Sequence, residues 1–140
     1  MRQIKKILAA VDGSKCSNEA AKFAAEIAMK YGSDLTILHV YVPPETTREL
    51  PAHPKPEQAT QRLEESERMV RETGIAPKTL LEVGNPAIAI LNESKNGYDL
   101  IVMGSRGLGA VEGFLLGSVT SRVAHHTTIP LLIVPPGQCV

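Results

Sequence analysis

The chain has 140 residues, and its 15 basic and 15 acidic side chains cancel to a formal net charge of zero. That length suits one domain, residues 1–140, with one core. Neutrality argues against nucleic acid or an anionic membrane held by bulk charge, and an aromatic content of 4% leaves little for a base-stacking surface.

Ile4 to Val11 is apolar and stops at the turn residues Asp12-Gly13-Ser14, which predicts a buried strand. A helix follows, with Ala20, Phe23, Ala24, Ile27, Ala28 and Tyr31 on one face, Ser17 as its N-cap and Gly32 beyond its end. Leu35 to Val42 is nearly continuous in apolar character, as in a strand covered on both sides. Pro43 to Pro56 holds five of the ten prolines and is predicted to be a long surface loop. Glu57 to Thr73 reads as a charged helix with Ala59, Leu63 and Val70 on its apolar stripe. Its pairs Glu64–Arg68 and Glu67–Arg71 are spaced i,i+4. Lys78 to Val83 is a third strand. Asn85-Pro86 opens a short helix as cap and first residue. Asp99 to Met103 is a fourth strand, Ser118 to His126 a helix, and Leu131 to Val134 a last strand. Strand–helix alternation throughout predicts an α/β fold with a parallel sheet covered on both faces.

No apolar stretch approaches the roughly 20 residues of a membrane span. The run Ile7 to Val11 falls short of the about 7–15 apolar residues of a secretory signal. A cytoplasmic protein is expected. Cys16 and Cys139 are far apart in sequence, show no metal-ligand spacing and are not expected to form a disulfide.

The segment 104–119 carries the most chemistry. Gly104 and Gly107 follow a strand, and Gly117-Ser118 opens a helix. Glycine lets backbone N–H groups approach an anion unobstructed. A helix start adds unpaired N–H donors and a positive dipole end. A Walker A loop needs Gly-Lys-Ser/Thr, and here Leu116-Gly117-Ser118 has no lysine. Gly107-x-Gly109-x-x-x-Gly113 lacks dinucleotide spacing and follows the fourth strand rather than the first.

The pattern Gly104-x2-Gly107-x9-Gly117-Ser118 resembles the ATP-binding universal stress proteins. Ile7-Leu-Ala-Ala-Val-Asp-Gly-Ser14, Leu38-His-Val40, Gly84-Asn-Pro86, Ser118-Val-Thr-Ser-Arg-Val123 and Ile129-Pro-Leu-Leu-Ile-Val134 are similar to the family's other landmarks, in order. The resemblance implies a Rossmann-like sheet of order 3-2-1-4-5, with ligand at the switch point between strands one and four. It implies that Asp12 lies near the adenosine, where its carboxylate can hold a ribose hydroxyl or a Mg²⁺ ion, and that the Val40 backbone contacts adenine. Met103 and Gly104 would pass under ribose and phosphates. Gly107, Gly117, Ser118 and Val119 would hold phosphate; independently of the resemblance, the Arg106 guanidinium can clamp one. Ala10, beside the base, stands where some members carry proline. The family also pairs through its last strand, so a homodimer through Leu131–Val134 is implied.

Each residue has a plainer role to weigh. Asp12 can cap the Gly13-Ser14 turn, Ser118 can cap its helix, and Arg106 can be solvated. Gly109 and Gly113 can be loop hinges. His125 and His126 point to different faces of a helix end, where positive charge is favourable, and His39 suits a hydrogen-bonded core position. Binding is better supported than chemistry: phosphoryl transfer needs positioned metal ligands, and Asp12 and Glu112 are the acids near the loop. The expected function is ATP binding in a stress-response regulatory role, with at most slow hydrolysis. A genuine nucleotide hydrolase on the same scaffold is the alternative. A receiver domain lacks its paired carboxylates here, and a flavin domain its aromatics.

Overall fold

A computed structural model describes residues 3–43, 56–106 and 116–138. The element order is β1 (Lys6–Val11), α1 (Lys15–Tyr31), β2 (Asp34–Tyr41), α2 (Pro56–Arg71), β3 (Lys78–Val83), α3 (Pro86–Ser94), β4 (Leu100–Gly104), α4 (Ser118–His126) and β5 (Leu131–Val134), then a 3-10 turn at Pro136–Gln138. The strands form one sheet of order β3-β2-β1-β4-β5, and every pairing is parallel. The strand–helix alternation read from the sequence is therefore borne out, as is the implied strand order. Apart from Pro43 and Pro56, the proline-rich loop lies outside the described residues.

Continuous apolar strands supply two cores by simple alternation. Ile7, Ala9, Val11, Leu35, Ile37, Leu100 and Val102 face one side and pack under α1 and α2. Leu8, Ala10, Leu38, Val40, Ile101 and Met103 face the other and pack with residues of α3 and α4. The α1 stripe differs from the expected one. Ala20, Ala21, Ala24, Ala25 and Ala28 are buried, while Phe23 and Tyr31 are exposed at 44% and 58%. Small side chains let α1 lie close on the sheet, and the large ones are turned outward. The α1 N-cap is Ser14, whose side chain accepts from the Ser17 N–H, while Gly32 ends the helix at φ 65° as expected. Asn85 caps α3, accepting from the Ile88 N–H. On α2, Arg71 pairs with Glu67 at 2.8 Å, while no ion pair joins Glu64 to Arg68.

α1 and α2 are tied by a buried bond that periodicity does not reveal. Ser66 Oγ donates to Asn18 Oδ1 at 2.6 Å, and both residues are buried. Leaving such an acceptor unpaired costs about 1–3 kcal/mol, so this contact fixes how far α2 slides along α1.

The amino ends of the strands are closed by local structure. Asp99 Oδ2 accepts from the Lys5 and Lys6 N–H groups at 2.9 and 3.1 Å. Lys6 Nζ sits 4.2 Å from the Tyr98 ring centre. The Tyr98 hydroxyl donates to Glu93 Oε2 at 2.8 Å, and burial is the main cause that pushes its pKa up to about 12. Among the described residues, no helix is long and apolar enough to cross a membrane.

Candidate functional site

From β1 the chain winds through β2 to β3 on one side, and β4 and β5 lie on the other. The carboxyl ends of β1 and β4 are thus the switch point, where open α/β sheets bind ligands.

Asp12 and the turn after it leave β1 there. Asp12 Oδ1 accepts from the Ser14 N–H at 2.9 Å, so the turn-capping role is real. The Asp12 N–H donates to Ser17 Oγ at 3.2 Å, and Ser17 Oγ donates to the Ser14 carbonyl at 3.0 Å. This short network aims the Asp12 carboxylate at the start of α1. Gly13 is at φ 86°, a left-handed conformation that glycine adopts without steric cost.

The segments on either side of the glycine-rich loop are drawn together at β4. The Ser105 N–H donates to the Val134 carbonyl at 2.9 Å, and the Gly117 N–H donates to the Ser105 carbonyl at 2.6 Å. Thr120 Oγ1 donates to the Gly104 carbonyl at 2.9 Å. The start of α4 is therefore pinned against the end of β4. Gly117 is its N-cap and makes no side-chain cap bond, and no acidic residue stands in the first turn. Ser118 does not cap this helix; it is the first helical residue and is exposed. The first N–H groups of a helix have no intrahelical acceptor, so Ser118 and Val119 present backbone donors at a positive dipole end.

Ala10, Val40 and Met103 are buried on the sheet face that α3 and α4 cover, and Val119 packs against the same cluster. These four residues form an apolar floor beneath the switch point. Gly104 lies on the opposite face, against α1. A Cβ there would stand 3.1 Å from the Cys16 carbonyl carbon and Sγ. Gly107, Gly109 and Gly113 lie outside the described residues. The remaining predicted positions, Ala10, Asp12, Val40, Met103, Gly104, Arg106, Gly117, Ser118 and Val119, all fall on β1, β2, β4, α4 or the turns that leave them.

Two residues at this end escape sequence reasoning. Thr120 clamps β4, and a threonine in a first helical turn gives no sign of that. Ser105 is 2% exposed, and its Oγ has no hydrogen-bond partner, as is also true of the buried Nε of Arg106. A serine between Gly104 and Arg106 was the available signal.

His39 is a core residue, as expected, with Nδ1 2.8 Å from the Val11 carbonyl oxygen. His125 and His126 are exposed at the end of α4. Among the described residues there is no group of three or more His, Cys, Asp or Glu able to hold a metal ion. The cysteine expectation is corrected: Cys16 is disulfide-bonded. The chain's other cysteine is Cys139, outside the described residues. Sequence distance misled here because β5 returns the chain to the start of α1. Cys16 Sγ is 3.8 Å from the Val134 carbonyl oxygen.

A parallel sheet with a helix start pinned beside its switch point defines an open α/β domain with a crevice at the carboxyl ends of β1 and β4. The chain belongs to the universal stress protein family, whose sequence pattern matches residues 3–135. It is 35% identical to universal stress protein YxiE of Bacillus subtilis, over 92% of this chain and 97% of that one. Its fold matches universal stress protein UspA from Lactobacillus plantarum with a TM-score of 0.81 at 25% identity, covering 96% and 99% of the two chains. It also matches the crystal structure of a universal stress protein in complex with cAMP, with a TM-score of 0.74 at 26% identity, covering 93% and 96%.

Proposed function

We propose that this chain is an ATP-binding regulatory protein of the stress response, with hydrolysis slow at most. The observation that carries the reading is the start of α4 held against the end of β4. Ser105 and Gly104 accept hydrogen bonds from Gly117 and Thr120, which leaves the donors of Ser118 and Val119 beside the switch point. A relative of the same fold crystallised with cAMP supports an adenine nucleotide as the ligand.

In this reading the Ala10, Val40 and Met103 floor carries the base and ribose, and Asp12 receives the ribose or a cation. Gly107, Gly117, Ser118, Val119 and Arg106 hold phosphate. Mg²⁺ is commonly held by one or two carboxylates together with phosphate oxygens and water. Asp12 would supply the carboxylate, and Mg²⁺ would neutralise phosphate charge. Asp12 and Glu112 are the acids near the glycine-rich loop in the sequence. That scarcity favours holding a nucleotide over splitting it, because phosphoryl transfer needs a positioned metal and an oriented nucleophile.

Calorimetric titration with ATP and Mg²⁺ tests the proposal. One site per chain is expected, with turnover no faster than a few per hour. Asp12→Ala should weaken binding about 10- to 100-fold, the loss of one or more charge-assisted bonds worth about 1.5–3 kcal/mol. Absence of heat at millimolar ATP would overturn the reading.

The outer edge of β5 supports a homodimer. β5 pairs only with β4 among the described strands, and Leu131, Leu132 and Ile133 are part-exposed. An unpaired apolar edge invites a second strand. Size exclusion with light scattering should give twice the 15.1 kDa chain mass, and a monomer at micromolar concentration would refute the dimer.

A further inference from the structure

α2 carries a cation to the turn that follows β1. The Ser66–Asn18 bond sets the register of α2 against α1. One turn earlier on both helices stand Arg62 and Ser14, at the level of the turn that follows β1. The side chain of Arg62 crosses that turn. A Cβ on Gly13 would stand 2.8 Å from Arg62 Cδ, 2.9 Å from Cγ and 3.2 Å from Nε. Glycine at position 13 thus makes the room in which the Arg62 stem lies, next to Asp12. Among the described residues, the two ion pairs are Lys22–Glu19 and Arg71–Glu67, and Arg62 takes part in neither. The residue is half-buried, with its stem packed on the turn and no ion pair to its guanidinium among the described residues.

We propose that Arg62 is a ligand-facing residue of the cleft and meets the base–ribose half of a bound nucleotide rather than its phosphates. The lateral position of α2 in the sheet is what favours that half. α2 packs over β2 and β3, on one side of β1, whereas the glycine-rich segment and the start of α4 belong to β4 on the other. A planar guanidinium can lie flat on a purine face while its donors point outward in a rigid fork, whereas a lysine ammonium is a compact point charge with no plane to stack. The inference deepens the proposed function and rests on it.

The test is calorimetry of the full chain with AMP and with ATP, each with Mg²⁺, for the parent, Arg62→Met and Arg62→Lys. Arg62→Met keeps a packed stem over Gly13. It is expected to weaken AMP and ATP by the same factor, about 5- to 30-fold, with the ligand-free melting temperature unchanged within 2 °C or so. Arg62→Lys keeps the charge without the plane and should lose affinity too. Unchanged affinity in Arg62→Met overturns the assignment, and full retention in Arg62→Lys overturns the planar role. A loss several-fold larger for ATP than for AMP makes Arg62 a phosphate cation and overturns the base–ribose placement. A loss matched by early melting of the ligand-free chain reduces Arg62 to a strap between α2 and the turn. A parent that binds neither nucleotide overturns the nucleotide reading itself, an outcome visible before any variant is compared.

Discussion

A Gly117→Val chain is expected to lose ATP affinity by about 100-fold or more while remaining folded. Gly117 sits at φ −67° and ψ 163°, an extended conformation that valine adopts readily. No backbone strain therefore opposes the change. Valine is a poorer N-cap than glycine, and about 1 kcal/mol of helix stability is at stake, which lowers the melting temperature by a few degrees. The effect on ligand is of another order. The two methyl groups would crowd the start of α4, where the backbone donors of Ser118 and Val119 lack intrahelical acceptors. Excluding an anion from two charge-assisted bonds of about 1.5–3 kcal/mol each gives a loss of roughly 3–6 kcal/mol. At 1.4 kcal/mol per tenfold, that is a factor of about 100 to 10,000. Calorimetry measures the affinity and differential scanning the fold. Parent-like affinity in the variant would show that the helix start is not the phosphate seat.

The parts legible in the sequence are those governed by local chemistry. Asn85-Pro86 declares a helix start because the side chain and the fixed φ act within one turn. Gly32 declares an end by the same logic, and Leu131 to Val134 lies between prolines. The meeting of a strand end and a helix start was legible because Gly104 follows a strand and Gly117-Ser118 opens a helix. What stayed hidden are contacts between distant elements. The burial of α1 on its alanines reflects the room over the sheet, a property of the partner surface and not of the helix. Ser66 and Asn18 are separated by 48 positions and look like surface polar residues until the two helices pack. Arg62 reads as one more charge on a charged helix, and its place over Gly13 follows only from that packing. The Cys16 disulfide was missed for a similar reason, since spacing along the chain carries no information about where β5 returns. The zero net charge also acquires a geometry. Under the proposed function the cleft would gain cations from Arg106 on one side and Arg62 on the other, and backbone donors would do the work that a phosphate-loop lysine does elsewhere.

Gly104→Ala is expected to destabilise the fold itself, by about 1–3 kcal/mol, the usual cost of overpacking a tight interior. The added Cβ would stand 3.1 Å from the Cys16 carbonyl carbon, 3.1 Å from its Sγ and 3.2 Å from its carbonyl oxygen. Two of those three atoms are backbone in the first turn of α1, so no side-chain rotation relieves the contact. Neither partner yields easily. The Gly104 carbonyl is held by Thr120 Oγ1 at 2.9 Å, and the next residue is bonded through both its N–H and its carbonyl, to Val134 and Gly117. Cys16 is disulfide-bonded and 8% exposed. The strain must therefore push the start of α1 away from the end of β4, which are the two sides of the switch point. Scanning calorimetry should register a fall of roughly 3–12 °C for a chain of this size. ATP affinity should fall with it, because the Asp12-Gly13-Ser14 turn moves with α1. Gly117→Val and Gly104→Ala thus separate two ways of damaging one cleft. The first blocks the helix start in a stable fold, and the second opens the gap between β4 and α1. A Gly104→Ala chain that melts with the parent would mean that the contact between β4 and α1 is looser than 3.1 Å implies, and that glycine at this position serves only the approach of a ligand.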